Sequence, residues 1–232
     1  MHKDIDRELL VVAIDGPAGV GKSTVAQGVA KHFGLTLLDT GAIYRTLALL
    51  AQREAIAWDD DVGLAQLAVD LPIRFTWQGT VNRVFAGDSE VTSDIRMPEI
   101  SEGASQVSQY PRVRDALLEL QRDFGVRGAV VAEGRDIGTV VFPDASVKVF
   151  LEAQLEVRAG RRHAQLIAQG KTIALQDVIT AEKKRDGRDT GRETAPLRAA
   201  DGAVAIDTGV LNAEQVVEQV IALCQSVLDR GR

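Results

Sequence analysis

The sequence predicts an α/β fold in which a five-stranded parallel sheet carries helices on both faces. Five short, nearly continuous apolar runs are typical of strands buried on both faces, as in a parallel sheet. They lie at residues 9–14, 35–39, 128–134, 147–152 and 203–207. Longer helical patterns separate these runs, which is the arrangement that right-handed βαβ crossovers produce. A glycine-rich segment between the first run and the first helical pattern is the third observation that favours this fold.

Composition limits the classes of function. The chain has 232 residues, of which 45% are hydrophobic and 26% charged, as expected for a globular protein with a buried core. Its formal net charge of −6 argues against a general nucleic-acid binder. A single cysteine, Cys224, excludes a disulfide within the chain, and no signal peptide or membrane-spanning run is visible. We therefore expect a cytoplasmic protein that binds neither nucleic acid nor membrane.

Amphipathic patterns place the helices. They cover residues 23–33, 42–53 and 111–124. The last helix is predicted to start after Asn212, a favourable N-cap residue, and Gln215 three positions on completes a capping box. The segment at about 70–94 differs, because its turn signals at Gly79 and Gly87 predict short antiparallel strands. We interpret it as a small antiparallel insertion on the main sheet.

The segment GPAGVGKST matches the phosphate-loop pattern G-x-x-x-x-G-K-[ST], and the strand before it and the helix after it are the context that this motif requires. The sequence therefore predicts a three-layer fold of the P-loop NTPase type. Lys22 is expected to bridge the β- and γ-phosphates of a nucleoside triphosphate, and Ser23 to bind Mg²⁺. The predicted ATP-binding residues of the loop are Gly16, Pro17, Ala18, Gly19, Val20, Gly21, Lys22, Ser23 and Thr24.

Arginine-rich segments follow the loop. Thr40 and Arg45 come directly after the second predicted strand, where ligands collect in open α/β sheets, and Arg114 opens a helix. The densest cluster of charge lies at residues 183–197. Taken alone, this cluster is interpreted equally well as a solvated helix end whose charges pair with one another as it is as a phosphate-binding site. Taken alone, Arg45 or Arg114 is interpreted equally well as part of a surface salt bridge. The glycines at 170, 187, 191 and 202 are interpreted as flexible points.

Five segments, in order, resemble one family. They are DGPAGVGKST, LLDTGAIYR, SQYPRVR, EGRDIGTVVFPDA and KKRDGRDTGRETAPL. Together they closely resemble the bacterial cytidylate kinases, over about residues 10–228, and the last four are more specific than the phosphate loop. The resemblance implies a single P-loop kinase chain with a core sheet, an acceptor-binding domain and a mobile lid. The core would comprise residues 9–39, 107–157 and 203–232, the acceptor-binding region 40–106, and the lid 158–202.

The resemblance also implies residue roles. The acceptor-binding residues would be Thr40, Arg45, Arg114, Arg135, Asp136, Arg185, Asp189 and Arg192. The catalytic residues would be Lys22, Arg135, Arg185 and Arg192. At the start of the lid, Arg158, Arg161 and Arg162 would reach the donor phosphates. Glu133 stands where some family members have aspartate.

The implied reaction is transfer of the γ-phosphoryl group of ATP to CMP or dCMP, with Mg²⁺, by a monomeric enzyme. One alternative is a P-loop kinase for another small acceptor, such as UMP, shikimate or dephospho-coenzyme A. The other is a nucleotide-dependent switch, which would need a Walker-B strand and a water-orienting residue that the sequence does not clearly show. The preference among CMP, dCMP and UMP depends on side-chain directions, which the sequence leaves open.

Overall fold

The computed structural model describes residues 10–78, 81–126 and 128–230. In chain order the strands are β1 (Val11–Asp15), β2 (Thr36–Asp39), β3 (Ile73–Gln78), β4 (Val81–Ala86), β5 (Ser89–Glu90), β6 (Val130–Gly134), β7 (Val147–Glu152) and β8 (Val204–Asp207). The α-helices are α1 (Lys22–Phe33), α2 (Thr40–Arg53), α3 (Asp61–Val69), α4 (Pro98–Val107), α5 (Pro111–Val126), α6 (Leu155–Ala168), α7 (Leu175–Gly191) and α8 (Ala213–Arg230). A 3₁₀ turn at Asp94–Arg96 and a π-helical turn at Ile137–Val141 complete the described elements.

The main sheet is parallel, with strand order β2-β6-β1-β7-β8. Alternate side chains of the central strand β1 pack on opposite faces of the sheet. Ala13 belongs to the apolar cluster that includes residues of α2 and α5, whereas Val12 and Ile14 belong to the cluster that includes residues of α1 and α8. This confirms the predicted five-stranded sheet with helices on both faces. Residue 9 of the first predicted strand lies outside the described residues.

The insertion is the predicted small antiparallel sheet, in which β4 pairs with both β3 and β5. Gly87, at φ 58°, forms the turn between β4 and β5, a conformation that favours glycine. Phe75 of β3 packs edge-on against Phe124 of α5, with ring centroids 5.6 Å apart, and this contact fixes the insertion against the larger apolar cluster. The other turn signal, at Gly79, lies outside the described residues.

The predicted start of the last helix is confirmed. The backbone N–H of Asn212 donates to Gln215 Oε1, and that of Gln215 donates to Asn212 Oδ1, both at 3.0 Å. This reciprocal pair is the capping box that the spacing predicts. Along α8 the buried side chains are Val216, Val220 and Cys224, as the helical period requires. None of the described helices offers an apolar stretch long enough to cross a lipid bilayer.

The interpretation of Gly187 and Gly191 as flexible points is wrong, because both lie within the 17-residue helix α7. A glycine inside a helix is unfavourable by about 1 kcal/mol relative to alanine, so contacts with other elements must offset it. Ion pairs from Asp186 and Arg188 to other parts of the chain supply such contacts. Gly170 and Gly202 do lie in turns, at φ 76° and 77°. The division into core, acceptor-binding region and lid stays a prediction.

Candidate active site

The phosphate loop joins the end of β1 to the start of α1, as predicted, and its glycines adopt conformations that other residues tolerate poorly. Gly19 and Gly21 have φ 76° and 92°, and Gly16 has φ 149°. A Cβ atom at Gly16 would clash with the backbone oxygen of Leu151 on the neighbouring strand β7. The loop therefore lies tightly against the carboxyl end of the sheet, where ligands bind in this class of fold.

Lys22 is the first residue of α1, and its side chain folds back onto the loop. Its Nζ donates to the carbonyl oxygens of Gly16, at 2.8 Å, and Pro17, at 2.7 Å. Burial and the neighbouring positive charge of Arg135 lower the pKa of Lys22 well below its ordinary value. A phosphate beside the loop would offset both effects, because opposite charge favours the ammonium form.

Ser23 and Glu133 meet beside the loop. The Ser23 hydroxyl donates to Glu133 Oε2 at 3.0 Å, and Glu133 Oε1 is buried with no hydrogen-bond partner among the described residues. Only 4% of Glu133 is exposed. Burial, followed by the charge of the Asp39 carboxylate, raises the pKa of Glu133 to about 7. Glu133 lies near the carboxyl end of β6, opposite Ile14 of the neighbouring strand β1, and this register brings its carboxylate to Ser23 at the phosphate loop.

A second buried carboxylate, Asp15, anchors the turn that follows β6. Its Oδ1 accepts from the backbone N–H of Ile137 and its Oδ2 from that of Gly138, both at 2.8 Å. Asp15 is 2% exposed, and this burial raises its pKa to about 6 although the two hydrogen bonds oppose the shift. The turn that carries Arg135 and Asp136 is thereby tied to the strand that begins the phosphate loop.

The predicted acceptor-binding residues form three contacts with carboxylates. Arg114 and Asp136 form a buried ion pair, and the Arg114 guanidinium lies 5.5 Å from the Tyr44 ring centroid. Arg135 Nε donates to Asp189 Oδ2 at 2.7 Å. On α2, Arg45 pairs with Asp39 at 2.8 Å. The Thr40 hydroxyl donates to the backbone oxygen of Glu133 at 2.8 Å, which ties the start of α2 to β6.

Arg185 of α7 and Arg192, which directly follows α7, form no ion pair with a carboxylate in the described part of the chain. Three of their nitrogens are buried without a hydrogen-bond partner among the described residues, namely Nε of Arg185 and both Nε and Nη2 of Arg192. Burial, followed by the charge of Arg135, lowers the pKa of Arg185 to about 10. Burial, followed by the charge of Arg114, lowers the pKa of Arg192. Buried guanidinium N–H groups without acceptors are strongly favourable for binding an anion such as phosphate.

One cleft of about 970 Å³ brings these groups together. The predicted residues that line it are Ala18, Gly19, Val20, Gly21, Lys22, Ser23, Thr24, Thr40, Arg45, Arg114, Arg135, Asp136, Arg161, Arg162, Arg185, Asp189 and Arg192. Of the predicted residues in the described ranges, Gly16, Pro17 and Arg158 do not line it. The Arg158 guanidinium pairs with Asp186 and donates to the backbone oxygen of Ala18, so it joins α6 and α7 to the phosphate loop. Its contact with ATP stays a prediction.

Further side chains on the cleft wall lie outside the motifs visible in the sequence. Asn82 of the insertion and Glu182 of α7 each line the cleft and carry a buried oxygen without a hydrogen-bond partner among the described residues. Ser105 of α4 lines it too. None belongs to a recognisable motif, since each reaches the cleft through packing of the insertion, α7 or α4. Glu133, by contrast, could have been identified from the sequence, because it is the acidic residue next to the end of an apolar strand.

Comparison with known proteins places the chain in a family. The sequence model of the family "Cytidylate kinase" matches residues 12–226. A cytidylate kinase of Geobacter sp. (strain M21) is 49% identical over 222 residues, which are 96% of this chain and 95% of that protein. The cytidylate kinase of Geobacter sulfurreducens is also 49% identical, over 92% of each chain.

Among solved structures, an uncharacterized protein from Eubacterium ventriosum ATCC 27560 is similar with a TM-score of 0.52 and 14% identity, covering 94% of this chain and 99% of that one. At this low identity the likeness supports the fold alone. The assignment depends instead on the family model, which spans most of the chain, and on relatives that are nearly half identical over more than nine-tenths of it. The chain belongs to the cytidylate kinase family.

Proposed function

We propose that the protein transfers the γ-phosphoryl group of ATP to CMP or dCMP, giving ADP and CDP or dCDP. One observation carries this proposal: the phosphate loop with Lys22 and the arginines Arg185 and Arg192 line the same cleft. Both arginines have buried N–H groups without a hydrogen-bond partner among the described residues. Membership of the cytidylate kinase family supports the same reaction.

Phosphoryl transfer requires that the donor and acceptor phosphates be positioned and that their negative charge be neutralised. The phosphate of a nucleoside monophosphate is already a nucleophile at neutral pH, so no general base is needed. Lys22 lies close enough to Arg135 and Arg185 for both guanidinium groups to lower its pKa. These three cations therefore converge on one region, where they would stabilise the charge on the equatorial oxygens in the transition state and align donor with acceptor.

The Arg114–Asp136 pair on the cleft wall favours a nucleotide acceptor, and cytosine in particular. Arg114 and Asp136 place guanidinium donors beside a carboxylate acceptor in a buried pair. The edge of cytosine presents an amino donor beside two acceptor atoms, and this pattern is the complement of that pair. Uracil presents a carbonyl where cytosine presents the amino group. Shikimate has no such planar edge and would not make these hydrogen bonds to the pair.

We also propose that the reaction uses Mg²⁺, held near Ser23 and Glu133. A hydroxyl and a carboxylate beside a phosphate loop are oxygen ligands of the kind that Mg²⁺ prefers, and the unpartnered Oε1 of Glu133 fits this use. When bound, Mg²⁺ would neutralise part of the negative charge of the triphosphate. Ser23 and Glu133 would orient the ion's ligand shell, while Lys22 holds the phosphates.

The proposal extends to domain roles and setting. Residues 40–106 would form the acceptor-binding region. Residues 158–202, which contain α7 and all but the first three residues of α6, would form the lid that excludes water during transfer. Because Arg185 and Asp189 both line the cleft from α7, movement of this segment would bring them to or from the substrates. We further propose that the enzyme acts as a monomer in the cytoplasm, in keeping with its single buried cysteine and with the family resemblance.

A panel of acceptors with ATP and Mg²⁺ tests the function. CMP, dCMP, UMP, AMP, GMP, shikimate and dephospho-coenzyme A would each be assayed for ADP release, and the products identified by chromatography. We expect kcat/KM to be highest for CMP and dCMP, and CDP or dCDP to form in step with ADP. A faster reaction with shikimate or dephospho-coenzyme A would show another kinase, and ADP release that no acceptor accelerates would show an ATPase or switch.

A further inference from the structure

Arg188 connects α7 to α4 across the cleft. Its Nη1 donates to the hydroxyl of Ser105 at 3.1 Å, and its Nη2 forms an ion pair with Glu102. Glu102 and Ser105 are three positions apart on α4, so they lie one turn apart on the same face. One planar guanidinium thus contacts two successive turns of α4, a geometry that the single ammonium group of lysine could not reproduce. The Arg188 side chain is 14% exposed and that of Glu102 is 43% exposed, so the arginine end of the ion pair is shielded from solvent and the carboxylate end is partly screened.

On α7, the residues that flank Arg188 in the sequence line the cleft. Arg185 and Asp189 precede and follow it on α7, and Arg192 comes directly after the helix. Arg188 itself points away from this group toward α4, so it does not line the cleft. Its contact with α4 is one of those that hold α7 in place, together with the Arg135–Asp189 and Arg158–Asp186 ion pairs, and it is the one that reaches α4.

On the α4 side, the contact continues to the predicted base-binding pair. The backbone oxygen of Ser105 accepts from the hydroxyl of Ser108 at 3.2 Å, and the backbone oxygen of Ser108 accepts from Arg114 Nη1 at 3.2 Å. Arg114 in turn pairs with Asp136. Three hydrogen bonds, joined through the covalent structure of Ser105 and Ser108, therefore connect Arg188 to Arg114. We expect a displacement of this end of α4 to reach Arg114 through these contacts.

We propose that Arg188 is a positioning residue that couples binding of the acceptor nucleotide to the placement of α7 over the phosphates. It touches neither substrate. By holding Ser105 and Glu102 it keeps the acceptor-binding wall and the α7 arginines in the same relative position, so that the cleft excludes water when the acceptor is bound. This inference rests on the proposed function, since it concerns how the same cleft recognises its acceptor.

The experiment compares R188M, E102Q and the double variant with the wild type. CMP and ATP are varied in turn, and ADP release and CDP formation are followed separately. We expect each single variant to raise the KM for CMP roughly tenfold, as expected for loss of a partly buried charged hydrogen bond, while the KM for ATP stays unchanged. The fraction of ATP hydrolysed without CDP formation should also rise. The double variant should be no worse than R188M, because both substitutions break one contact.

A matched control comes from the same region. Arg53 and Asp94 form an ion pair at 2.7 Å that joins α2 to the 3₁₀ turn without reaching α7. R53M should keep the kinetic constants of the wild type. R188K provides a second test, because it keeps the charge and loses the planar fork, and its KM for CMP should fall between those of the wild type and R188M. Circular dichroism and ATP binding establish which variants are folded.

The outcomes separate the inference from the proposed function. A folded R188M or R188K with the same KM for CMP and the same transfer-to-hydrolysis ratio as R53M would overturn the role of Arg188 and leave the proposed function intact. Equal rises in the KM for CMP and for ATP would also overturn it, since they indicate general loosening of the structure. If the wild type does not phosphorylate CMP in this assay, the proposed function itself is wrong.

Discussion

Replacing Glu133 with glutamine should make the stability of the protein less sensitive to pH. Glu133 is buried at the end of β6 and accepts a hydrogen bond from Ser23 at 3.0 Å. Glutamine keeps the size of the side chain and one oxygen that can accept this bond, but it cannot ionise. The substitution therefore isolates the effect of ionising a buried carboxyl group beside the phosphate loop.

The magnitude follows from the pKa. Burial raises the pKa of Glu133 from an ordinary value of 4.5 to about 7. Because the folded-state pKa is raised, the stabilisation by this group is fully present below pH 4.5 and is lost as the pH rises to about 7. Each pKa unit corresponds to about 1.4 kcal/mol, so the full loss is about 3 kcal/mol, of which about 2 kcal/mol falls between roughly pH 5.5 and 8.5.

The assay is urea unfolding of both proteins at several pH values across that range, without nucleotide and with a chelator to remove metal ions. The free energy of unfolding of E133Q minus that of the wild type should rise by about 2 kcal/mol from roughly pH 5.5 to 8.5. Asp15 titrates with a raised pKa as well, but it is present in both proteins and cancels in the difference. E119Q, the same chemical change at an exposed position on α5, is the control.

A difference between E133Q and the wild type that stays constant across this pH range would refute the reasoning. It would mean that Glu133 is already ionised at the lowest pH, with the charge of Lys22 outweighing the effect of burial. A difference that falls as the pH rises would also refute it, since that is the sign expected for a carboxylate stabilised by its surroundings.

Three further substitutions test the site. K22A should abolish phosphoryl transfer in a folded protein, and measurable CDP formation from it would contradict the assignment of the donor site. R192A should lower kcat by about 100-fold or more, since we propose that this cleft-lining cation faces the transferred phosphoryl group; near-normal turnover in steady-state assays would remove Arg192 from the site. D15N turns an N–H donor toward the backbone N–H of Ile137 or Gly138. It should lower the free energy of unfolding by about 1–3 kcal/mol and raise the KM for CMP, and unchanged urea unfolding would show that this anchor contributes little.

The strands and the phosphate loop could be predicted because their signals are local. A strand buried on both faces leaves a continuous apolar run, as at β1 and β6, and the loop needs glycines at set positions before Lys22. The 17-residue length of α7 could not be predicted, because Gly187 and Gly191 oppose a helix locally. Asp186 and Arg188 form ion pairs with residues distant in the sequence, and such contacts offset the unfavourable glycines in the helix.

By itself the sequence determined the fold class, the loop that binds the donor phosphates, and the arginine-rich segments whose order resembles one kinase family. The tertiary structure decided which of those side chains meet. Ser23 and Glu133 are 110 positions apart, and Asp15 and Ile137 are 122 apart, yet each pair is hydrogen-bonded. Such contacts follow from the strand order β2-β6-β1-β7-β8, which places β6 beside β1. Local patterns carry no record of that order, because it depends on how all the helices and strands pack together.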